Sequence, residues 1–274
     1  MPKISIVSAY YNRRKALWRT LKTIEKSSFK DFEYIIVDDA SNSFNRIEDF
    51  VDEFDFIRLV RIEPEDKRHT NPCIPFNLGF SLVKGDMVII QAPECLHIGD
   101  ILSFVANNSK DNQYLVFCCY SLSNATSDRL DLVNFSLPLK ELESDIVNAV
   151  GGFRNRSTID VGKNDSWLIH PIYRKNHLNF LTSMTTKDLC DLGGFDERFA
   201  DGYAAEDTEF ASRISKKKMD IKFIEKPFCI HHFHGSVELV IPDLSEKKAI
   251  NKALYNECIK SSHYKVRNSF IKEV

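Results

Sequence analysis

Three groups of residues in this sequence are suited to proton transfer or to holding a polar ligand, and each also has an ordinary structural use. The first is the acidic pair Glu206-Asp207 within LGGFDERFADGYAAEDTEF, Leu192 to Phe210. The pair opens an amphipathic run, Thr208 to Ile214, so it is expected at a helix start, where the positive end of the helix favours the ionised form. A carboxylate kept ionised at the mouth of a site takes a proton from a hydroxyl nucleophile; at this position it is equally a common helix cap. Gly193-Gly194, ahead of Phe195-Asp196-Glu197, predicts a tight bend that residues with side chains resist. The second group is Asp38-Asp39, which follows the apolar run Phe32 to Val37, together with Tyr11-Asn12 after an earlier apolar run. A carboxylate at a strand end accepts from a ribose hydroxyl or a base N–H, or simply closes a turn. The third is Trp167, His170 and Tyr173 in WLIHPIYR. Aromatic faces stack on sugar rings and a histidine binds a hydroxyl or a phosphate; ordinary packing of an aromatic cluster explains the same residues.

The elements that must position these groups alternate between two periods. Lys3 to Ala9, Phe32 to Val37, Ile57 to Arg61 and Met87 to Ile90 read as strands. Between them, Arg14 to Lys26 puts Ala16, Leu17, Leu21 and Ile24 on one helical side, and Ile47 to Phe54 and Pro75 to Val83 also read as helices. Strands alternating with helices predict βαβ units, a parallel sheet, and ligands gathered at the carboxyl ends of its strands. Asp38, Asp39 and the residues after Ile90 lie at those ends. Ser123 to Asp165 is polar and interrupted, and so long an unpatterned stretch is expected to be a functional or mobile loop. Pattern resumes at Trp167 to Met184, and Glu246 to Cys258 reads as a helix leading into a basic tail.

Composition narrows the classes. A net charge of −2 provides no electrostatic footprint for nucleic acid. Seven cysteines without framework spacing predict a reducing, cytoplasmic compartment rather than a disulfide scaffold. Strand-like sequence from Lys3 onward leaves no signal peptide to expect, and no apolar run reaches membrane-spanning length. The C-terminal helix, with Ile250, Leu254 and Ile259 among charges, has three dispositions open to it: packing on its own domain, pairing between subunits, or resting on the cytoplasmic face of a membrane.

Taken in order, these motifs resemble the family 2 glycosyltransferases. The matching residues are Ile4 to Val7 with Tyr11-Asn12-Arg13, then Tyr34 to Ser41 (YIIVDDAS), Asn77-Leu78-Gly79 with Lys84-Gly85-Asp86, Gly193 to Glu197, and Glu206-Asp207. The resemblance runs to about His234 and leaves out the middle stretch. It implies an α/β, GT-A (Rossmann-like) fold, with a mostly parallel central sheet flanked by helices and a C-terminal helical extension. Residues 1–236 would form the transferase domain, 1–105 as its nucleotide half and 165–236 as its acceptor half, with 237–274 as the extension. It further implies a nucleotide-diphosphate sugar donor, a UDP-sugar first among them, and a glycan or glycolipid hydroxyl as acceptor. Ala9, Tyr11, Asp38, Asp39, Arg68 and Asn77 would hold the nucleotide. Trp167, His170 and Tyr173 would face the acceptor, and Asp207 would be the general base, with Glu206 positioning the acceptor.

One motif departs from the family. Where it carries Asp-x-Asp to bind a divalent metal under the diphosphate, this chain has Ala92-Pro93-Glu94. The resemblance therefore implies Mn²⁺ or Mg²⁺ held by Glu94 with help from His231-His232-Phe233-His234. Strand alternation would put His232 and His234 together on one face and His231 on the other; solvated histidines without any metal are the alternative. His97 is a further possible ligand. An inverting transfer is expected. A retaining transferase on the same fold, and a non-catalytic module that binds sugar nucleotides or glycans, remain open.

Overall fold

The computed structural model describes residues 3–159, 162–235, 241–266 and 268. Its N-terminal half is built as βαβ units. β1 (Ile4–Tyr10) and β2 (Phe32–Asp39) are buried along most of their length, the near-continuous apolar pattern of strands covered on both faces. α1 (Arg14–Glu25) buries Leu17, Leu21 and Ile24, one stripe at i, i+4 and i+7. α2 (Glu48–Glu53), β3 (Ile57–Ile62), α3 (Cys73–Phe80) and β4 (Met87–Gln91) follow. β1 pairs in parallel with β2 (Tyr10 opposite Asp38) and with β4, and β2 pairs in parallel with β3. This brings the ends of β1, β2 and β4 to the same edge of the sheet.

The second half is mixed. It contains β5 (Cys95–Ile98), α4 (Ile101–Asn108), β6 (Gln113–Ser121), α5 (Asn124–Arg129), α6 (Leu139–Val150), β7 (Ser166–Ile169) and β8 (Leu181–Thr185). α7 (Thr186–Leu192), α8 (Glu206–Lys216), β9 (Asp220–His231) and α9 (Leu244–Cys258) complete it. The strand order is β3-β2-β1-β4-β8-β6-β9-β5, with β7 paired to β6. β8 runs antiparallel to both β4 and β6, and β5 runs antiparallel to β9. The β5–β9 pairing places Cys95 opposite His231, which carries the histidine-rich segment back to the end of β4.

Residues 123–165 differ from the loop expected of them. Ser123 caps α5, its hydroxyl accepting from Thr126 N–H at 3.3 Å. Leu142, Ile146 and Val150 of α6 are buried in a second apolar cluster with Leu122, Leu130 and Phe135. Gly151, in the left-handed region at φ 76°, closes α6. The polar residues that obscured the pattern are caps and outward faces of short helices.

α9 packs on its own domain. Asn251 is fully buried and Leu254 lies against the main core. The boundary expected at residues 236 and 237 lies outside the described residues, as do residues 267 and 269–274 of the basic tail. No helix among the described residues is long and apolar enough to cross a membrane.

Candidate active site

The expected nucleotide end lies at the tips of β1 and β2. Tyr11 is 42% exposed, and the Lys67 ammonium sits 4.4 Å from its ring centroid. Asp39 accepts from Lys67 Nζ at 2.8 Å, and its other oxygen lies 2.8 Å from His69 Nε2. Burial works against its charge, but these two partners outweigh it and hold the Asp39 carboxyl below its ordinary value. Asp39 therefore offers an ionised acceptor beside an exposed aromatic face. Ala9 lies one residue from the end of β1, opposite Val37.

Two of the nucleotide expectations, Asp38 and Asn77, are corrected, and Arg68 lies at the surface. Asp38 is buried, ion-paired with Arg61, and accepts from Ser41 N–H at 2.9 Å; it closes the turn. Arg68 is exposed, with a contact only to the Lys67 carbonyl at 3.4 Å among the described residues, while its neighbours Lys67 and His69 reach Asp39. Asn77 is fully buried: its amide donates to Phe195 O (2.8 Å) and Glu197 Oε1 (2.9 Å), and its oxygen accepts from Phe195 N–H (2.9 Å). It clamps the GGFDE bend, so no polar atom remains for a nucleotide.

At the end of β4, the Ala92-Pro93 turn delivers Glu94 to a position only 2% exposed. Glu94 Oε1 receives Arg13 Nη1 at 2.7 Å and lies 3.1 Å from His231 Nε2 and 3.5 Å from His234 Nε2. Glu94 Oε2 is buried with no hydrogen-bond partner among the described residues. Burial alone would raise the Glu94 pKa, yet Arg13, His231 and His234 together hold it well below the carboxylate range. Burial lowers His234 to about 4, leaving a neutral imidazole at physiological pH. An ionised carboxylate with a free oxygen beside the ring nitrogens of His231 and His234 fits a divalent cation, and the nitrogen donors suit Mn²⁺ better than Mg²⁺.

This cluster corrects the expected ligand pairing. Glu94, His231 and His234 bring ligand atoms within 4.8 Å of one another, and His232 is not among them. β9 ends at His231, so strand alternation does not extend to 232–234. His232 uses its backbone N–H on Glu94 O at 3.1 Å, and burial depresses its ring to about 3. His97 is buried 3.0 Å from Gln91 Oε1 and joins no cluster.

The acceptor end hangs on a bend held from three sides. Gly193 (φ 83°) closes α7 and Gly194 follows at φ 71°, so both positions need residues without a Cβ. Arg213, buried within α8, pairs with Glu209 at 2.8 Å and donates to Leu192 O and Gly194 O at 2.8 Å each. Farther on, Ala204 (φ 61°) and Ala205 (φ 73°) are both left-handed, a conformation that costs a non-glycine residue about 1–2 kcal/mol. Asn251 of α9 holds that turn from below, donating to Phe199 O (3.1 Å) and Ala204 O (2.8 Å).

α8 starts directly after this turn with Glu206 and Asp207. Asn71 Nδ2 donates to Glu206 Oε2 at 2.6 Å, and Asp207 Oδ1 accepts from Thr208 N–H at 2.6 Å. The helix field was expected to favour their charges; burial outweighs it. Burial and the neighbouring Asp207 charge raise Glu206 to about 7, and burial raises Asp207 as well. One five-residue segment joins the two ends of the site: Lys67 and His69 hold Asp39, and Asn71 holds Glu206.

Residues 5–132, from β1 through Glu94 to the turn after α5, match the family model of Glycosyl transferase family 2. Residues 173–235, which include the acidic pair and His231 to His234, match the model described as N-terminal domain of galactosyltransferase. The N-terminal part of the chain is thus similar to glycosyl transferase family 2. The chain is 26% identical over 117 residues to Poly(ribitol-phosphate) beta-N-acetylglucosaminyltransferase TarP of Staphylococcus aureus (strain N315), covering 40% of this chain and 35% of that protein. The match thus spans about a third of that relative's length. Two solved structures share the fold. S. aureus TarS 1-349 in complex with UDP-GlcNAc aligns at TM-score 0.57 and 13% identity, over 94% of this chain and 70% of that one. Mannosyltransferase PcManGT from Pyrobaculum calidifontis, in complex with GDP-Man and Mn²⁺, aligns at 0.51 and 13% identity, over 95% and 73%. The fold is GT-A.

The expected acceptor aromatics Trp167 and His170 are corrected. The Trp167 ring packs edge-on to Tyr120 (5.0 Å) and tilted against Phe228 (5.6 Å) in the second core. His170 is buried between Trp167 (4.7 Å) and Tyr173 (4.5 Å), with Nδ1 accepting from Ile172 N–H. Trp167 is a core residue because β7 pairs with β6 over that cluster, and Tyr173 is half-buried against it. Sequence reasoning missed Arg13, Lys67, His69, Asn71 and Asn251 as site residues, and it set His231 on the face opposite His232 and His234. Arg13 and His231 lay inside motifs already singled out; nothing in the local pattern marked Asn71 or Asn251.

Proposed function

We propose that this chain transfers a sugar from a UDP-linked donor to a hydroxyl of a glycan or glycolipid acceptor, with inversion at the anomeric carbon. The observation that carries the reading is the 67–71 segment, which fixes an ionised acceptor, Asp39, and Glu206 of the half-buried acidic pair in one frame. Tyr11 offers its face to the base and Asp39 accepts from the imide N–H of uracil. Residues 1–105 act as the donor half, 165–236 as the acceptor half and 237–274 as the extension that braces them. Glu94, His231 and His234 would hold a divalent cation, which when bound neutralises charge on the leaving diphosphate.

The raised pKa of Asp207 makes its carboxylate a stronger base than an exposed one. It takes the proton of the acceptor hydroxyl as that oxygen bonds to the anomeric carbon. The bond from that carbon to the diphosphate oxygen breaks on the opposite face, and UDP departs with its electron pair. Glu206, fixed by Asn71, sets the field around Asp207 and orients the acceptor. The S. aureus relatives named above, one an N-acetylglucosaminyltransferase and one bound to UDP-GlcNAc, support UDP-N-acetylhexosamines as the first donors to test. Asp207→Asn is expected to abolish transfer and leave calorimetric UDP binding within about twofold, since the nucleotide end does not depend on it. Loss of UDP binding in step with transfer would sink the base assignment. An NMR spectrum showing retained configuration would sink inversion, and tighter binding of GDP than UDP would sink the donor class.

A further inference from the structure

The Glu94 cluster contains one cation that a metal site has no use for. Arg13 lies just ahead of α1, and its guanidinium takes the same Glu94 oxygen that both imidazoles face, at 2.7 Å against 3.1 and 3.5 Å. Its side chain is 28% exposed, whereas that of Glu94 is 3% exposed. The guanidinium thus reaches in from solvent on a long, mobile stem, while the carboxylate is fixed. No other hydrogen bond ties the Arg13 guanidinium among the described residues. A guanidinium on the oxygen that both imidazoles face opposes a divalent ion bound among the same three residues, because like charges a few ångströms apart in a buried setting repel strongly. Glu94 Oε2, buried without a partner, shows that Arg13 leaves the carboxylate half satisfied.

The geometry points to Arg13 as an exchangeable counter-ion of Glu94: it neutralises the carboxylate while the site holds no divalent cation, and is released to the donor diphosphate when one binds. This rests on the reading of Glu94, His231 and His234 as the metal site. The guanidinium fork suits phosphate oxygens, and α1 starts there with no side chain capping its first N–H groups. The exchange makes metal and nucleotide binding mutually reinforcing beyond their direct contact. Nucleotide draws Arg13 off Glu94 and so tightens the metal, and by linkage the metal tightens the nucleotide equally.

The test is direct Mn²⁺ binding to the full chain, read by electron paramagnetic resonance of the free ion, with and without UDP. Arg13→Gln is expected to bind Mn²⁺ about tenfold to hundredfold more tightly than wild type without nucleotide, the range set by losing one charge-assisted hydrogen bond. It is also expected to bind UDP more weakly in the absence of metal and to show a smaller tightening of Mn²⁺ by UDP. Arg13→Lys, which keeps the charge, should stay near wild type, and thermal melts verify that both variants fold. Equal or weaker Mn²⁺ affinity in Arg13→Gln, with the UDP effect intact, overturns the exchange and leaves the metal site standing. Undiminished Mn²⁺ binding in Glu94→Gln, or none in wild type, overturns the metal site and the exchange together.

Discussion

Asn251→Ala tests whether the C-terminal helix sets the position of the proposed base. Asn251 is fully buried in α9, and its amide N–H groups reach Phe199 O and Ala204 O. Phe199 O also accepts from Gly202 N–H at 3.2 Å, so the carbonyl that loses most is that of Ala204. Two hydrogen bonds at about 1 kcal/mol each, with the small void left by the amide, make a loss of about 2–3 kcal/mol. For a chain of this size that corresponds to a fall in Tm of roughly 5–10 °C. The more telling effect is local. Ala204 and Ala205 are held left-handed at a combined cost of about 2–4 kcal/mol, comparable to what Asn251 supplies. Without that hold the turn relaxes, and the first turn of α8 moves with it. A misplacement of about 1 Å at a reacting group costs roughly a hundredfold in rate. Asn251→Ala should therefore lower kcat by about a hundredfold, measured as UDP release from donor and acceptor. Calorimetric UDP affinity should stay within about twofold, because Asp39 is held by Lys67 and His69. A variant that loses the expected stability yet keeps its kcat would refute the argument, since the turn would then hold without α9.

Other perturbations bear on the rest of the site. Arg213→Leu strands the buried Glu209 charge and removes the donors to Leu192 O and Gly194 O; breaking such a pair costs about 3–5 kcal/mol. Urea denaturation should show at least that loss, and the double variant with Glu209→Leu should recover part of it; no recovery would mean the carbonyl contacts dominate. Glu206 has a folded pKa of about 7 against an ordinary 4.5, so the folded state binds the extra proton between those values and stability falls as pH rises through that window. Glu206→Gln should flatten this decline in melts between pH 4.5 and 8. Asp39→Asn should weaken UDP binding by about tenfold to hundredfold, the worth of a hydrogen bond to a charged group; unchanged affinity by calorimetry would place the base elsewhere.

By itself the sequence determined the features that depend on neighbours in the chain. Period-2 and period-3.6 patterns marked β1 to β4 with their helices, because each strand buries both faces and each helix one stripe. Gly193-Gly194 marked a bend that only glycine adopts freely, and Glu206-Asp207 marked the start of α8. Tertiary structure decided what distance along the chain conceals. His231 rather than His232 meets Glu94, since β9 pairs with β5 and ends at that residue, and no local pattern encodes where a strand stops. Asn77 and Trp167 had the right chemistry for a site, but the elements stacked over them turned them into a clamp and a core. The helix-start charges of Glu206 and Asp207 were legible; their raised pKa values were not, because burial is a property of the packed molecule. The hold of Asn71 on Glu206 and of Asn251 on the turn before it arises only when residues 47 to 135 positions apart in the chain are brought together.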